Sequence, residues 1–199
     1  MDEIEETAKR IGAVNTVVRD GKGWKGYNTD CMGALKALEE RIDPNGKNVL
    51  IIGAGGTAKA IGYGVYKKGA KITVTYNRNK EKGVQLAREL GAKVIHIQDV
   101  GEEAIDILIN CSPAGMSPNL EETPISSRHL REGMVVFDSV YNPPETRLIR
   151  EAKAAGCVVI SGIELFVNQA VGQFELWTKQ KAPIDSMRDV VVRGLNNKT

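Results

Sequence analysis

Residues 48–60 read NVLIIGAGGTAKA. The opening NVLIIG is a continuous apolar run of strand length, as expected for a parallel strand covered on both faces. Gly53-Ala54-Gly55-Gly56-Thr57-Ala58 follows at once and opens a helical stretch, TAKAIGYGVYKKG. Strand, glycine loop and helix in this register form the G-x-G-x-x-A fingerprint of dinucleotide binding, in the context it requires. Gly53 permits the tight turn, Gly55 lets the backbone approach a pyrophosphate, and the small Ala58 allows close helix–strand packing. The start of the helix presents unpaired amides and a positive dipole end to the phosphates. A purely structural glycine turn is the alternative reading.

Working outward, the strand–helix alternation continues. KITVTY (71–76), KVIHI (93–97), DILIN (106–110), MVVFDSV (134–140) and CVVISG (157–162) read as strands. NKEKGVQLARELG (79–91) and ETRLIREAKAAG (145–156) read as helices. Repeated βα units predict an α/β fold, a Rossmann-type doubly wound parallel sheet flanked by helices. Upstream, Asp2 to Arg10 has a helical pattern, and AVNTVVRDGKGWKGYNTD (13–30) reads as two strands around an Asp20-Gly21 hairpin turn. A helix follows, with Met32, Leu35, Leu38 and Ile42 on one face and Thr29 or Asp30 able to cap it. ELFVNQAVGQFELWTKQ (164–180) and IDSMRDVVVRGL (184–195) read as two terminal helices.

Composition narrows the partners. The 199 residues are 42% hydrophobic and 26% charged with a net charge of +2. The basic residues are scattered, which argues against nucleic acid or an anionic membrane surface. There is neither a membrane-span run nor a signal-peptide pattern. Cys31, Cys111 and Cys157 are widely spaced, and His96 and His129 are the only histidines. That favours a reducing, cytoplasmic setting and no metal site.

At the end of the second strand of the nucleotide unit, an NAD-binding domain carries an acidic residue for the ribose 2′-hydroxyl. Here Asn77-Arg78-Asn79-Lys80-Glu81-Lys82 stands in its place. A guanidinium at Arg78 can grip a 2′-phosphate with paired hydrogen bonds, so the sequence favours NADP over NAD. Lys80 and Lys82 read equally well as a solvated helix start.

Polar motifs fall where the loops at the carboxyl ends of the strands gather. Singly, each has an ordinary reading: Asn15 as a turn residue, Asp30 as a helix cap, Tyr141 as an edge aromatic, Gln169 as a surface amide. Their joint order changes this. IGAVNTV, GYNTD, IGAGGTAKA, NRNKEK, INCSPAGM, VYNPPET and GIELFVNQAVGQFELWT, in that sequence, closely resemble the shikimate dehydrogenases, NADP-dependent enzymes of aromatic amino-acid biosynthesis. The resemblance covers nearly the whole chain. It implies reversible hydride transfer between NADP(H) and the 3-position of shikimate or 3-dehydroshikimate. By that similarity Asn15, Asp30, Tyr141 and Gln169 bind substrate, with Asp30 catalytic. Gly53, Ala54, Gly55, Gly56 and Thr57 would hold the pyrophosphate, and Asn77 to Lys82 the adenosine phosphate end. Ser139 and Gly162 would lie near the nicotinamide.

The resemblance also has a gap. The family pairs the aspartate of its GYNTD motif with a lysine in an N-x-T-x-P-x-K type motif, and an N-terminal serine pair binds the substrate carboxylate. Neither motif occurs here. Roughly seventy to ninety residues of the family's layout, most of a small α/β domain, are expected to be missing ahead of GAVNTV. Lys22 and Lys25 are expected to be solvated. Residues 1–45 then read as a remnant of the substrate domain plus a linking helix, 46–162 as the NADP-binding domain, and 163–199 as helices packing back on the substrate domain. Phe166, Phe174 and Trp177 would be exposed unless an oligomeric partner or the missing domain covered them. The expectation is a chain that binds NADPH and turns over shikimate poorly. The alternatives are an inactive NADP(H)-binding module or a quinate/shikimate dehydrogenase relative.

Overall fold

The apolar run at 49–52 becomes a central strand because both of its faces find apolar cover. The computed structural model describes residues 1–21, 23–101 and 104–196. The elements run β1 (Glu3–Ile4), α1 (Glu6–Ile11), β2 (Thr16–Asp20), β3 (Gly23–Tyr27), α2 (Thr29–Glu39), β4 (Asn48–Ile52), α3 (Gly56–Lys67) and β5 (Lys71–Tyr76). They continue with α4 (Lys80–Leu90), β6 (Lys93–His96), β7 (Ile107–Asn110), β8 (Val135–Asp138), α5 (Arg147–Ala154), β9 (Val158–Ile160), α6 (Gly162–Thr178) and α7 (Ile184–Asn196). The large sheet has six strands in the order β6-β5-β4-β7-β8-β9, and every neighbouring pair is parallel. The strand order reverses between β4 and β7, which opens a crevice at the carboxyl ends of these strands.

Side-chain alternation divides the core. Val49 and Ile51 of β4, with Ile107, Ile109 and Phe137, face α2, α3, α4 and α6. Leu50 and Ile52, with Leu108 and Val136, face Leu148 and Ala152 of α5. Continuous hydrophobicity in a strand follows from this two-sided burial.

A second, three-stranded sheet in the order β1-β3-β2 precedes the large one. The β2–β3 hairpin turns where expected, with Gly21 at φ +58°. The first residues depart from the helical expectation. Glu3–Ile4 pairs parallel to β3, and the helix starts only at Glu6, capped by the Glu5 carboxylate, which accepts from the Ala8 amide at 3.1 Å. The open edge of β3 outcompetes helix propensity here: the Asp2 and Glu5 amides donate to Trp24 and Gly26 carbonyls at 2.9 and 2.8 Å. The cap of α2 is Asn28, whose side chain accepts from the Cys31 amide, rather than Thr29 or Asp30.

The terminal helices find part of their cover within the chain. α6 lies against α2 so closely that a Cβ on Gly33 would stand 2.6 Å from the Gln169 amide nitrogen. Phe174 is covered by α7, in a cluster with Met187, Val191 and Leu195. Phe166 is half-buried, and only Trp177 of the three aromatics stays mostly exposed, at 57%. Its indole N–H donates to the Val17 carbonyl at 3.1 Å. Within this chain α7 thus covers Phe174, while Phe166 and Trp177 keep part of the exposure expected of them. Among the described residues no helix is long and apolar enough to cross a membrane.

Candidate active site

The hairpin and α2 bring Asn15 and Asp30 together. Asn15 Nδ2 donates to Asp30 Oδ1 at 2.8 Å and to Thr29 Oγ1 at 3.1 Å. Its Oδ1 accepts from the Thr29 amide at 2.9 Å and the Thr16 hydroxyl at 2.8 Å. Buried Asn28 ties the same junction to the Ala13 carbonyl. Asn15 therefore joins the start of β2 to the first turn of α2, and its amide orients the Asp30 carboxylate. Burial pushes the Asp30 carboxyl above the ordinary carboxylate range, and the Asn15 hydrogen bond pulls it partly back. Asp30 makes no ion pair among the described residues. Lys25, expected to be solvated, is instead largely covered and paired with Glu3 at 2.6 Å, because β1 lies beside β3. Lys22 lies outside the described residues.

Gln169 is reached through the α2–α6 contact. Gly33, one turn after Asp30, meets the Gln169 backbone, and Gly172 faces the Thr29 side chain. Gln169 Nε2 donates to the Phe166 carbonyl at 2.9 Å. The Phe166 ring in turn lies 4.8 Å from that of Tyr141, tilted by 30°. Tyr141 is 43% exposed. The Gly33 approach and the Phe166 ring thus link the elements that carry Asp30, Gln169 and Tyr141, without a direct hydrogen bond among those three side chains.

Behind this loop is a buried polar network with no signature in the sequence. Asp138, at the end of β8, accepts from Asn110 Nδ2 at 2.9 Å, the Val140 amide at 3.1 Å and Thr146 Oγ1 at 2.5 Å. Asn110 Oδ1 accepts from the Ser112 amide and hydroxyl. Burial raises the Asp138 carboxyl, against the opposing pull of Thr146, Val140 and Asn110. Satisfying nearly every polar atom at once fixes both loops relative to their strands. The Ser139 amide donates to the Asn110 carbonyl at 2.9 Å. Gly162 comes so close that its Cβ would stand 2.3 Å from the Val140 carbonyl oxygen and 2.7 Å from that of Ser139. Ser139 and Gly162 are thereby neighbours at the first turn of α6.

The glycine loop has a divided geometry. Gly53 has φ +106° and its Cβ would stand 2.9 Å from the Cys111 carbonyl oxygen. Gly55 and Gly56 would each carry a Cβ into open space. Gly55 caps α3 with no side-chain hydrogen bond, which leaves the first amides of the helix free. Ala54 and Thr57 are half-buried and Ala58 is fully buried. A cavity of about 610 Å³ runs from Gly53 past Asn77 and Arg78 to Ser112, Glu121 and Arg147. Arg78, Lys80, Glu81 and Lys82 are exposed, and Asn79 caps α4 by accepting from the Lys82 amide at 2.9 Å. The open amides, the clear volume and the absence of a carboxylate at the end of β5 fit a dinucleotide with a 2′-phosphate. A second cavity, near Asn48, Lys71 and Lys93, lies at the amino ends of the strands, away from these residues.

A family model for shikimate / quinate 5-dehydrogenase matches residues 35–144, and one for the shikimate 5′-dehydrogenase C-terminal domain matches residues 162–192. The chain belongs to the shikimate / quinate dehydrogenase family. It is 40% identical over 205 residues to the shikimate dehydrogenase (NADP(+)) of Methanothermobacter thermautotrophicus, a match covering 98% of this chain and 72% of that protein. It is 43% identical over 202 residues to the chloroplastic bifunctional 3-dehydroquinate dehydratase/shikimate dehydrogenase of Arabidopsis thaliana, covering 92% of this chain and 33% of that one. A crystal structure of a shikimate dehydrogenase in complex with NADP+ superposes with a TM-score of 0.92 at 37% identity, over 98% of this chain and 71% of that one. The chain therefore spans about a third of the bifunctional relative and roughly seven-tenths of the other two.

Proposed function

We propose that these residues form the NADP(H)-binding and hydroxyl-recognising part of a shikimate dehydrogenase, an oxidoreductase that interconverts 3-dehydroshikimate and shikimate. The observation that carries this reading is the Asn15–Asp30 pair at 2.8 Å, lying one helical turn from the α6 contact that holds Gln169. The free Asp30 Oδ2, the Gln169 amide and the Tyr141 phenol suit a polyhydroxylated ring, since each can pair with a ligand hydroxyl. The Asn15 hydrogen bonds go to Thr16, Thr29 and Asp30. In this reading Asp30 Oδ1 stays engaged by Asn15, and Oδ2 accepts from the hydroxyl at the reacting carbon. Asn15 holds the carboxylate in place, and Gln169 and Tyr141 contact the ring from α6 and the loop after β8.

NADP(H), when bound, supplies or accepts the hydride. Gly53 to Thr57 and the first amides of α3 would hold its pyrophosphate, and Asn77 to Lys82 its adenosine phosphate end. Arg78 has no ion-pair partner among the described residues, which leaves it available to a 2′-phosphate. Ser139 and Gly162 would line the nicotinamide end. With Asp30 unpaired with a lysine in these residues, we propose that they bind NADPH by themselves but turn over shikimate slowly. The family's range leaves quinate as the alternative substrate.

The test is an NADPH titration followed by shikimate and quinate turnover assays on this chain. Binding with rates far below those of an intact family member supports the proposal. Absence of NADPH binding, or a rate matching an intact relative, counts against it.

A further inference from the structure

The cavity beside Arg78 has two walls of different character. One is the chain leaving β5, at Asn77 and Arg78, which the sheet itself positions. The other is Glu121 to Pro124, in the long connection between β7 and β8. That connection lies outside the sheet ladder; buried Ile125 anchors its far end, and Glu121 to Pro124 hang between that anchor and tethering contacts from neighbouring elements.

Arg147, in the first turn of α5, is such a tether. Its Nε donates to Glu151 Oε1 at 2.7 Å, one turn along the same helix, and its Nη1 donates to the Glu121 backbone carbonyl at 2.9 Å. The planar fork of the guanidinium serves both acceptors at once, which a lysine ammonium on a flexible stem does not reproduce. Among the described residues the second oxygen of Glu151 is fully covered and has no hydrogen-bond partner. A covered carboxylate oxygen without a donor is costly, which marks Glu151 as held for its arginine rather than for solvent. Arg150 reaches the Glu121 carboxylate at 3.2 Å, but that pair is mostly exposed, at 45% and 79%, and contributes little in water.

We infer that Arg147 is a positioning residue for the adenosine half of the cofactor, acting through the backbone at Glu121 to hold the outer wall of the cavity. The inference rests on the NADP(H) reading above. It assigns Arg147 a role distinct from that of Arg78: the wall faces the part that NADP and NAD share, whereas Arg78 answers to the 2′-phosphate alone.

Isothermal titration of this chain with NADPH, NADH and adenosine 2′,5′-bisphosphate tests it, alongside thermal unfolding. Loss of one exposed hydrogen bond to the wall corresponds to about fivefold in affinity. Arg147→Ala is expected to weaken all three ligands by that factor, and Arg147→Lys to stay within about threefold of alanine. Arg150→Ala is expected to change none of them by more than about twofold. Should Arg147→Ala fail to fold, Glu151→Gln keeps an acceptor for Nε without the charge and is expected to weaken all three by about threefold. Unchanged affinities in the folded variant overturn the inference. So does a loss confined to the two ligands carrying a 2′-phosphate, which would make Arg147 a direct phosphate contact. If the unaltered chain binds neither NADPH nor the bisphosphate, it is the cofactor reading itself that fails.

Discussion

Replacing Gly55 with alanine separates the fold from the function of the glycine loop. Gly55 has φ −87° and ψ −171°, extended backbone that any residue adopts. The added Cβ would meet nothing within 4 Å. The folded chain should therefore lose no more than about 1 kcal/mol, the difference between glycine and alanine at an N-cap. The same methyl would stand in the open volume before the first amides of α3, where the proposed pyrophosphate sits. Overpacking a well-fitted contact costs ~1–3 kcal/mol, or about five- to 150-fold in NADPH affinity. Gly53→Ala should behave in the opposite way. Its backbone is at φ +106° and its Cβ would stand 2.9 Å from the Cys111 carbonyl oxygen and 3.0 Å from the carbonyl carbon. Neither backbone atom can swing aside. Strain of ~1–3 kcal/mol should lower the melting temperature by ~2–4 °C per kcal/mol in a chain of this size. Thermal unfolding by circular dichroism and calorimetric NADPH titration give both quantities for each variant. The reasoning is refuted if Gly55→Ala binds NADPH like the unaltered chain, or if it melts as low as Gly53→Ala.

Gly162→Ala should destabilise the chain by ~1–3 kcal/mol, because its Cβ would stand 2.3 Å from the Val140 carbonyl oxygen and α6 must shift. Gly194→Ala, with nothing within 4 Å, should instead gain up to ~1 kcal/mol from helix propensity; equal melting temperatures for the two would defeat the argument. Asp30→Asn should raise stability at neutral pH while reducing affinity for shikimate. Burial raises the Asp30 carboxyl in the folded chain, so the fold binds this proton more tightly than the unfolded chain does. The stability contribution then falls as pH rises from the ordinary Asp value, about 4, through the raised one. The advantage of asparagine should accordingly vanish in acid and appear by about pH 7, and a variant less stable than the parent at neutral pH would contradict this. Arg78→Ala should weaken NADPH by about tenfold or more and NADH hardly at all, as read by parallel titrations; equal losses would remove the 2′-phosphate assignment.

The alternation of apolar strands and amphipathic helices from residue 48 onward determined the doubly wound sheet. Val49 to Ile52 are covered on both faces and are apolar throughout, and the alternation of such runs with amphipathic helices is what βα repetition produces. Gly53 was legible for the same reason: a residue at positive φ beside a carbonyl leaves glycine as its occupant. The order of the polar motifs was enough to identify the family. Other features depended on partners distant in the chain. Residues 3–4 became a strand because β3 offered an open edge, an opportunity that local helix propensity does not register. Lys25 found Glu3 only through that pairing. The covering of Phe174 required α7 to fold back, and the Gly33–Gln169 contact required two helices to meet without side chains between them. Asp138, Asn110 and Thr146 are ordinary polar letters in the sequence. Only when β7 and β8 lie side by side do their ends share one desolvated space, where each polar atom needs the others for a partner. The sequence by itself thus determined the sheet and the family, and named the residues proposed to carry the chemistry. Tertiary structure decided which of them touch, because hydrogen bonds and close backbone approaches depend on distances in space that spacing along the chain does not encode.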